Sequence, residues 1–256
     1  MSARDFTRKI VDTSITDDYF EKVSAGEIEG ASAFYIFGEN PDIDTSSSET
    51  IWEFGDFTAN TAGDTQYYIS SSDASDNMDV LINVIKADGS AEGLIVSLNG
   101  QTEESIPTLF ENPNNAIVLS DTQHQGEIYI YNVTGNSSGV PNDSSSVKEF
   151  ISTNDGMSRG SSSKFWIQIP SEKRLSVRSL DLYVGKNKDI DFFVQIDSSG
   201  VNVITKKIQI YQSSFELGIS PSFSFNAGDV LELRGSTSNN NTSCSVVATC
   251  IMYDVI

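Results

Sequence analysis

The segment MDVLINVIKADGSAEGLIVSLNG (78–100) predicts a β-hairpin and with it the fold class of the chain. Apolar and polar residues alternate from Val80 to Val84, and the residues around Ile95 repeat the alternation, which is the period of a strand with one buried face. The cluster ADGS (87–90) supplies turn formers between the two runs. The segment contains no histidine, no cysteine and no glycine-rich phosphate loop, so it indicates structure rather than chemistry.

Short strand-like runs recur along the chain, separated by polar turns at roughly 8–12-residue spacing. No helical period of useful length interrupts them in the second half. Together they predict an all-β chain with two antiparallel β-sandwich or jelly-roll domains and an N-terminal arm. In the first half the runs include ASAFYIFG (31–38), TIWEFGDF (50–57), TQYYISSS (65–72), AIVLSD (116–121) and GEIYIYNV (126–133).

Composition divides the chain into four segments. Residues 1–30 predict an N-terminal arm with room for one short helix. Residues 31–133 predict an acidic β-sandwich domain, and residues 134–163, dense in Ser, Gly, Asn and Asp, predict a linker whose apolar residues around Phe150 could dock it. Residues 164–256 predict a C-terminal jelly-roll-like β-sandwich domain.

The charge of the chain is strongly negative and unevenly distributed. The formal net charge of −20 speaks against nucleic-acid binding, which needs clustered Lys and Arg. Residues 1–133 hold 5 Lys and Arg against 24 Asp and Glu, giving −19, whereas residues 134–256 hold 11 against 12, giving −1. One explanation is solubility and repulsion between unassembled copies. The other is that the acidic half faces solvent while the neutral half faces a partner.

The N-terminal sequence and the two cysteines both favour folding in a cytoplasm. The N-terminus has no apolar stretch after its charges, so we expect no signal peptide, and no apolar run approaches the length of a membrane span. Cys244 and Cys250 lie on one predicted strand about 20 Å apart, too far for a disulfide. Because they share one parity, we expect both thiols on the same face as small buried apolar groups.

The residues that could carry chemistry are few. The single histidine, His124, has no nucleophile motif and no second metal ligand beside it, so we expect a solvated loop side chain. Asp73, Asp76 and Asp79 invite a calcium interpretation, but their spacing lacks the pattern of an EF-hand loop, which favours solvation at a strand entrance. With 36 Asp and Glu, a glycosidase-like carboxylate pair is not excluded by counting. We predict a non-enzyme with no catalytic residue, no cofactor and no metal.

Five stretches in a fixed order carry a likeness to a known family: TIWEFGDF (50–57), ISSSDASDNMDV (69–80), INVIKADGSAEGLIVSLNGQ (82–101), GEIYIYNVTG (126–135) and FWIQIPSEKRLSVRSLDLYVG (165–185). Their order resembles that of two-domain structural proteins from tailed phages of marine bacteria. The likeness extends over most of residues 50–256. Where relatives have a small-Gly-Lys turn after an apolar strand and Pro, this chain has Ser171-Glu172-Lys173 and lacks the glycine.

This resemblance implies a virion component made in the host cytoplasm. The first expectation is a head decoration, or cement, protein that binds the lattice of the major capsid protein as a homotrimer. Its candidate partner contacts are Phe6, Ile10, Tyr19 and Phe20 of the arm, together with one β face. The alternative is a tail fibre or spike protein that binds a receptor or glycan. No nucleic acid and no membrane is expected as a partner.

Overall fold

The computed structural model describes residues 18–255 except 46, 56, 58–62, 121, 154–159, 186–187, 199–200 and 212–214. Within these residues the regular structure is almost entirely β-strand and the sheets are antiparallel, which confirms the predicted all-β class. Among the described residues, one α-helix precedes the strands, α1 (Asp18–Ser24). The strands in chain order are β1 (Ala31–Ile43), β2 (Glu49–Thr50), β3 (Tyr68–Ser71), β4 (Asp79–Ile85), β5 (Ala91–Ser97), β6 (Glu104–Ser105), β7 (Asn112–Leu119), β8 (Ile128–Tyr131), β9 (Asn136–Ser137), β10 (Val140–Pro141), β11 (Val147–Ile151), β12 (Trp166–Gln168), β13 (Lys173–Val184), β14 (Asp189–Ser198), β15 (Val201–Tyr211), β16 (Phe215–Phe225), β17 (Val230–Ser236) and β18 (Thr242–Asp254).

The longer strands form two pairs of sheets, each around its own hydrophobic core. Sheet I has the strand order β11-β8-β3-β6, and sheet II has the order β5-β4-β7. Sheet III has the order β1-β18-β13-β16, and sheet IV has the order β12-β17-β14-β15, with β2 also paired to β17. Buried side chains of sheets I and II meet in one core, and those of sheets III and IV meet in the other.

The hairpin predicted from residues 78–100 is present as β4 and β5. Gly89 closes its turn with a φ of 79°, a conformation that favours glycine. Ile82 is fully buried, and burying a side chain of this size contributes about 1.5–3 kcal/mol. In β5 the core positions belong to Leu94 and Val96, so Ile95 points to solvent and is 63% exposed.

The first strand, β1, was predicted in the domain of residues 31–133, but it belongs to the sheets of the C-terminal half. β1 pairs antiparallel with β18, with Ala31 opposite Tyr253 and Ile43 opposite Thr242. Its inward side chains pack in the core of sheets III and IV. The predicted range 31–133 is therefore not one sheet unit, because turn spacing indicates strands but not their long-range partners.

The prediction of a strand over TIWEFGDF (50–57) is wrong for most of its length. Only Thr50 belongs to a strand, at the end of β2, and the described residues from 51 to 57 form irregular chain with one turn at Glu53 and Phe54. Trp52, Phe54 and Phe57 pack beside sheet I and Trp166 instead of forming a ladder. The aromatic residues that indicated a strand instead form part of an aromatic cluster between the two sheet pairs.

The predicted linker over residues 134–163 carries regular structure. β9 and β10 form a small hairpin, and β11 pairs with β8 at the edge of sheet I. Phe150 is 7% exposed and Ile151 is 1% exposed, so the apolar residues around Phe150 do dock this segment. Residues 154–159 lie outside the described residues. The segment is thus largely part of the first sheet pair rather than a spacer.

Both cysteines lie where their shared parity predicts. Cys244 and Cys250 are free thiols on β18, and both point into the core of sheets III and IV. Burial raises the pKa of the Cys250 thiol from 9.0 to about 12, and it raises the pKa of Cys244 as well. The two thiols therefore act as small apolar core groups.

We predict that stability falls at alkaline pH in part through Cys250. From its ordinary pKa of 9.0 up to about 12 the native thiol keeps its proton while the unfolded thiol loses it, so the unfolded state binds fewer protons. The free energy of unfolding contributed by this group then falls as pH rises through that window. We expect the free energy of unfolding, measured by urea denaturation at a series of pH values, to fall less steeply with pH above 9.0 for Cys250→Ala than for the wild type. Equal slopes would contradict the prediction.

Candidate functional site: an exposed aromatic sheet face

The outer face of sheet III carries large aromatic side chains in contact with solvent. Along β1, Phe34 and Ile36 point into the core, so Tyr35 and Phe37 point outward. Tyr35 is 55% exposed and Phe37 is 54% exposed, and Tyr183 on β13 is 46% exposed on the same face. Exposed apolar side chains that cluster in this way mark interaction surfaces more often than single exposed residues do.

Helix α1 covers the other end of this face. Tyr19 is 7% exposed and Val23 is 3% exposed, and both pack against Ile251 of β18. Phe20 meets Tyr35 edge to face with ring centroids 6.4 Å apart, and Tyr35 lies 6.2 Å from Phe37. The three rings form an aromatic row, Phe20-Tyr35-Phe37, that leads from the helix onto the open part of the sheet.

The structure separates the four arm residues predicted to contact a partner. Phe6 and Ile10 lie outside the described residues. Tyr19 is a core residue of the helix contact, and burial, reinforced by Tyr253, raises the pKa of its hydroxyl to about 12. Phe20 is half-buried and borders the open face. Of the two described candidate residues, Phe20 is therefore the one whose side chain is accessible enough to contact a partner.

A groove with a volume of about 280 Å³ lies on the outer face of sheet III. This volume is at the low end for a small-molecule site, which typically encloses roughly 300–1,000 Å³. The groove suits one or two side chains of a peptide segment better than a whole cofactor. Apolar walls come from Phe37, Tyr183 and Val247, and polar groups at its edge come from Glu39, Ser161 and Ser245.

A second aromatic cluster joins the two sheet pairs. Trp52 is 1% exposed and Trp166 is 4% exposed, which agrees with the core packing expected for both. Phe57 lies between them, 5.8 Å from Trp52 and 4.9 Å from Trp166 between ring centroids. Tyr129 and Phe150 of sheet I belong to the same cluster. The contact between the two sheet pairs is buried and largely aromatic, so it contributes to holding them together.

A buried ion pair lies beneath these rings. Lys164 Nζ is 2.8 Å from Glu149 Oε1, and both side chains have zero exposed area. The ammonium also donates to the carbonyl of Lys148 at 2.7 Å and lies 4.3 Å from the centroid of Phe57. Burial raises the pKa of Glu149 and lowers the pKa of Lys164, and the opposite charge of the partner counteracts each shift. Because Glu149 lies on β11 and Lys164 precedes β12, the pair connects the two sheet pairs.

The acidic loop between β3 and β4 differs from the solvated entrance that its sequence predicts. Asp76 is 1% exposed, and its carboxylate accepts hydrogen bonds from Ser71 Oγ at 2.6 Å and from the backbone N–H groups of Gln125 and Gly126 at 2.8 and 2.9 Å. His124 is 4% exposed, so the expectation of a solvated histidine is also wrong. The carboxylate of Asp76 thus joins its own loop to the loop that contains Gln125 and Gly126, whereas the His124 ring bonds within its own loop, to the carbonyl of Gly126.

No metal site or membrane-spanning helix is evident in the part of the chain that the structure describes. Within that part, no group of three or more His, Cys, Asp or Glu side chains is arranged to hold a metal ion. Nor does any helix there have the length and apolar character needed to cross a bilayer. Neither a protein-family model nor a curated protein matches this sequence.

The sequence did carry a signal for the exposed face that the strand analysis did not use. The run AFYIF (33–37) is apolar at every position, and β18 contains the similar run VVATCIMY (246–253). A strand with one solvated face shows alternation, whereas an unbroken apolar run is typical of a strand covered on both faces. Part of the outer face is covered by α1, but Tyr35 and Phe37 remain exposed.

Proposed function

We propose that the chain is a non-enzymatic structural protein of a phage particle, a head decoration protein that binds the lattice of the major capsid protein. The observation that carries this proposal is the exposed aromatic face of sheet III beside the N-terminal arm. Aromatic residues are enriched at protein–protein interfaces, because each offers a large contact area with few rotatable bonds. The proposed site of action is the virion, after synthesis in the host cytoplasm.

The architecture is compatible with this role. We propose that each sheet pair is a β-sandwich domain, with jelly-roll connectivity in the C-terminal one, and that the protein assembles as a homotrimer. A lattice presents many equivalent binding positions, so a modest contact on each subunit is multiplied over the particle. The negative net charge of −20 keeps unassembled copies apart until they bind.

Quantitative mass spectrometry of purified particles tests the role directly. We expect a copy number comparable with that of the major capsid protein, since a cement protein occupies repeated lattice positions. An image of the intact particle should place the chain on the head surface. A copy number far below that of the capsid protein would overturn the decoration role.

We predict that the double substitution Phe37→Ser and Tyr183→Ser weakens attachment to particles. Both side chains are about half exposed, so their loss should change the free energy of unfolding little while it removes apolar contact area. We expect the dissociation constant for particles that lack the chain to rise about tenfold or more, which corresponds to roughly 1.4 kcal/mol. The matched control is Ile95→Ser, which removes a 63% exposed side chain from sheet II. Equal attachment of both variants would contradict the assignment of this face.

A receptor- or glycan-binding role on a tail fibre or spike is the second candidate. It is favoured by the polar loop before β18, which the carboxylate of Asp189 orders through hydrogen bonds from Ser238 and Asn239. Such a fixed loop with amide and hydroxyl groups could bind sugar hydroxyls. If the isolated protein blocks adsorption of the phage to host cells, this role replaces the decoration role.

A further inference from the structure

The buried pair of Lys164 and Glu149 is not part of the proposed particle contact. Lys164 Nζ lies 2.8 Å from Glu149 Oε1, and both side chains have zero exposed area. Neither oxygen of Glu149 accepts a hydrogen bond of normal geometry from a described residue, so the amine lies close to the carboxyl without being aligned as a donor. A buried ion pair needs excellent geometry to offset its loss of hydration, and this pair lacks it. The fold instead holds an amine and a carboxyl within reacting distance.

Two backbone carbonyls orient the Lys164 side chain. Its nitrogen donates to the carbonyl of Lys148 at 2.7 Å and to the carbonyl of Pro113 at 3.3 Å. An uncharged lysine amine has two N–H groups and one lone pair, and the lone pair makes it a nucleophile. Because the two carbonyls accept the two N–H groups, the lone pair is left to face the carboxyl of Glu149.

The surroundings favour the uncharged forms of both groups. Burial raises the pKa of Glu149 and lowers the pKa of Lys164, which shifts the pair toward a carboxylic acid and a free amine. The ring centroids of Trp52, Phe57 and Trp166 lie 5.6, 4.3 and 5.1 Å from the lysine nitrogen. These rings exclude water from the site, so they also protect an amide formed there from hydrolysis.

We propose that Lys164 and Glu149 condense to an isopeptide bond, an amide between the two side chains. The lone pair of Lys164 Nζ attacks Glu149 Cδ, and a carbon–nitrogen bond forms. The bond from Cδ to the carboxyl hydroxyl then breaks, and this oxygen leaves as water with its own proton and one proton from the amine. The acid and the amine supply every atom of the amide and of the water, so the step needs no oxidant and no co-reactant.

Proximity and burial both favour this reaction. Groups held in a fixed geometry within one molecule react as if they were present at about 10⁵–10⁸ M. Condensation also replaces two buried ionisable groups by one neutral amide, which removes the cost of keeping charge away from water. Because Glu149 lies on β11 and Lys164 shortly precedes β12, the amide joins sheet I covalently to the segment that enters sheet IV. Chains that have not reacted keep the ion pair, and their mass distinguishes them.

A surface pair in the same chain provides an internal control. The amine of Lys86 and a carboxylate oxygen of Glu92 are 2.5 Å apart, but the two side chains are 31% and 43% exposed. Water stabilises both charges there, so we expect no condensation at this pair. The reaction takes place within one purified chain and does not rest on the proposed function, which is tested on particles.

Peptide mass spectrometry of the full-length chain, kept folded at neutral pH and sampled over several days, tests the proposal. A tryptic digest should contain peptide 149–159 joined to peptide 160–173, with the mass of one water missing. Fragmentation should place the junction at Glu149 and Lys164, and trypsin should not cut after the acylated lysine. In the same digest, trypsin should cut after Lys86 and leave no joined product there.

A lysine substitution checks the assignment of the amine. Lys164→Met has no amine at this position, so its digest should contain peptide 149–159 unjoined and at full mass. The wild-type digest decides the question by itself if this variant fails to fold. Complete cleavage after Lys164, with both peptides at full mass throughout the time course, would overturn the proposal. So would a loss of water confined to an unjoined peptide 149–159, because the sequence Asp155-Gly156 can lose water by forming a succinimide.

Discussion

Replacing Lys164 with methionine should destabilise the protein more than any surface substitution. The change leaves the buried Glu149 carboxyl without its cation, and it removes the ammonium that lies over the rings of Trp52, Phe57 and Trp166. Breaking a buried ion pair by removing one partner typically costs about 3–5 kcal/mol. Denaturant unfolding of wild type and Lys164→Met gives this difference directly.

The double variant distinguishes the pair from simple packing. If the cost of Lys164→Met comes from the unpaired carboxyl, adding Glu149→Met should recover most of it, because two apolar side chains of similar volume suit the surrounding rings. The double-mutant cycle should then be strongly non-additive. Lys86→Met is the matched control, since Lys86 pairs with Glu92 at the surface, with side chains 31% and 43% exposed. If Lys164→Met lowered the free energy of unfolding no more than Lys86→Met does, the prediction would be contradicted.

The pH dependence of Lys164→Met follows from the same carboxyl. Burial already raises the pKa of Glu149, and loss of the cation removes the main influence that lowers it. The unfolded carboxyl then releases its proton at lower pH than the native one, so the unfolded state is favoured as pH rises. The deficit of Lys164→Met relative to wild type should therefore shrink as the pH falls toward the ordinary carboxyl pKa of 4.5.

Sequence periodicity predicted which segments form strands better than it predicted their partners. The β4–β5 hairpin follows from alternation and a glycine turn within one short stretch, and both are local properties. The pairing of β1 with β18 joins residues near opposite ends of the chain, and no local pattern encodes it. The division into segments failed at residues 31–43 for this reason.

The candidate surface was predictable only in part. The sequence placed Phe20 in the arm and Phe37 in a strand, but their approach through Tyr35 depends on how α1 packs on sheet III. The unbroken run AFYIF, together with the similar run in β18, indicated that the outer face of this sheet is apolar. Burial of polar groups was also hidden, because Asp76 and His124 resemble solvated loop residues until their hydrogen-bond partners are known.

Replacing Asp76 with alanine should be the second strongly destabilising change. The carboxylate accepts hydrogen bonds from Ser71 Oγ, Gln125 N and Gly126 N, and the Gly126 amide contact is wholly buried. Hydrogen bonds to a charged group contribute about 1.5–3 kcal/mol each, and a buried donor left without an acceptor adds a penalty. We expect a loss of about 3 kcal/mol or more in the free energy of unfolding, measured by urea denaturation.

The neighbouring acidic residue provides the control for Asp76. Asp73 lies in the same loop, but among the described residues its carboxylate accepts hydrogen bonds within the exposed turn alone, from the backbone N–H and the hydroxyl of Ser75. Asp73→Ala should therefore change stability little, and Asp76→Asn, which keeps one acceptor oxygen, should fall between Asp76→Ala and wild type. Hydrogen exchange should speed up at both the Gln125 and Gly126 amides in Asp76→Ala, at one of them in Asp76→Asn, and at neither in Asp73→Ala, because the two amides donate to different oxygens of Asp76. If Asp73→Ala and Asp76→Ala lose equal stability, the loop is an acidic surface and the buried carboxylate does not organise it.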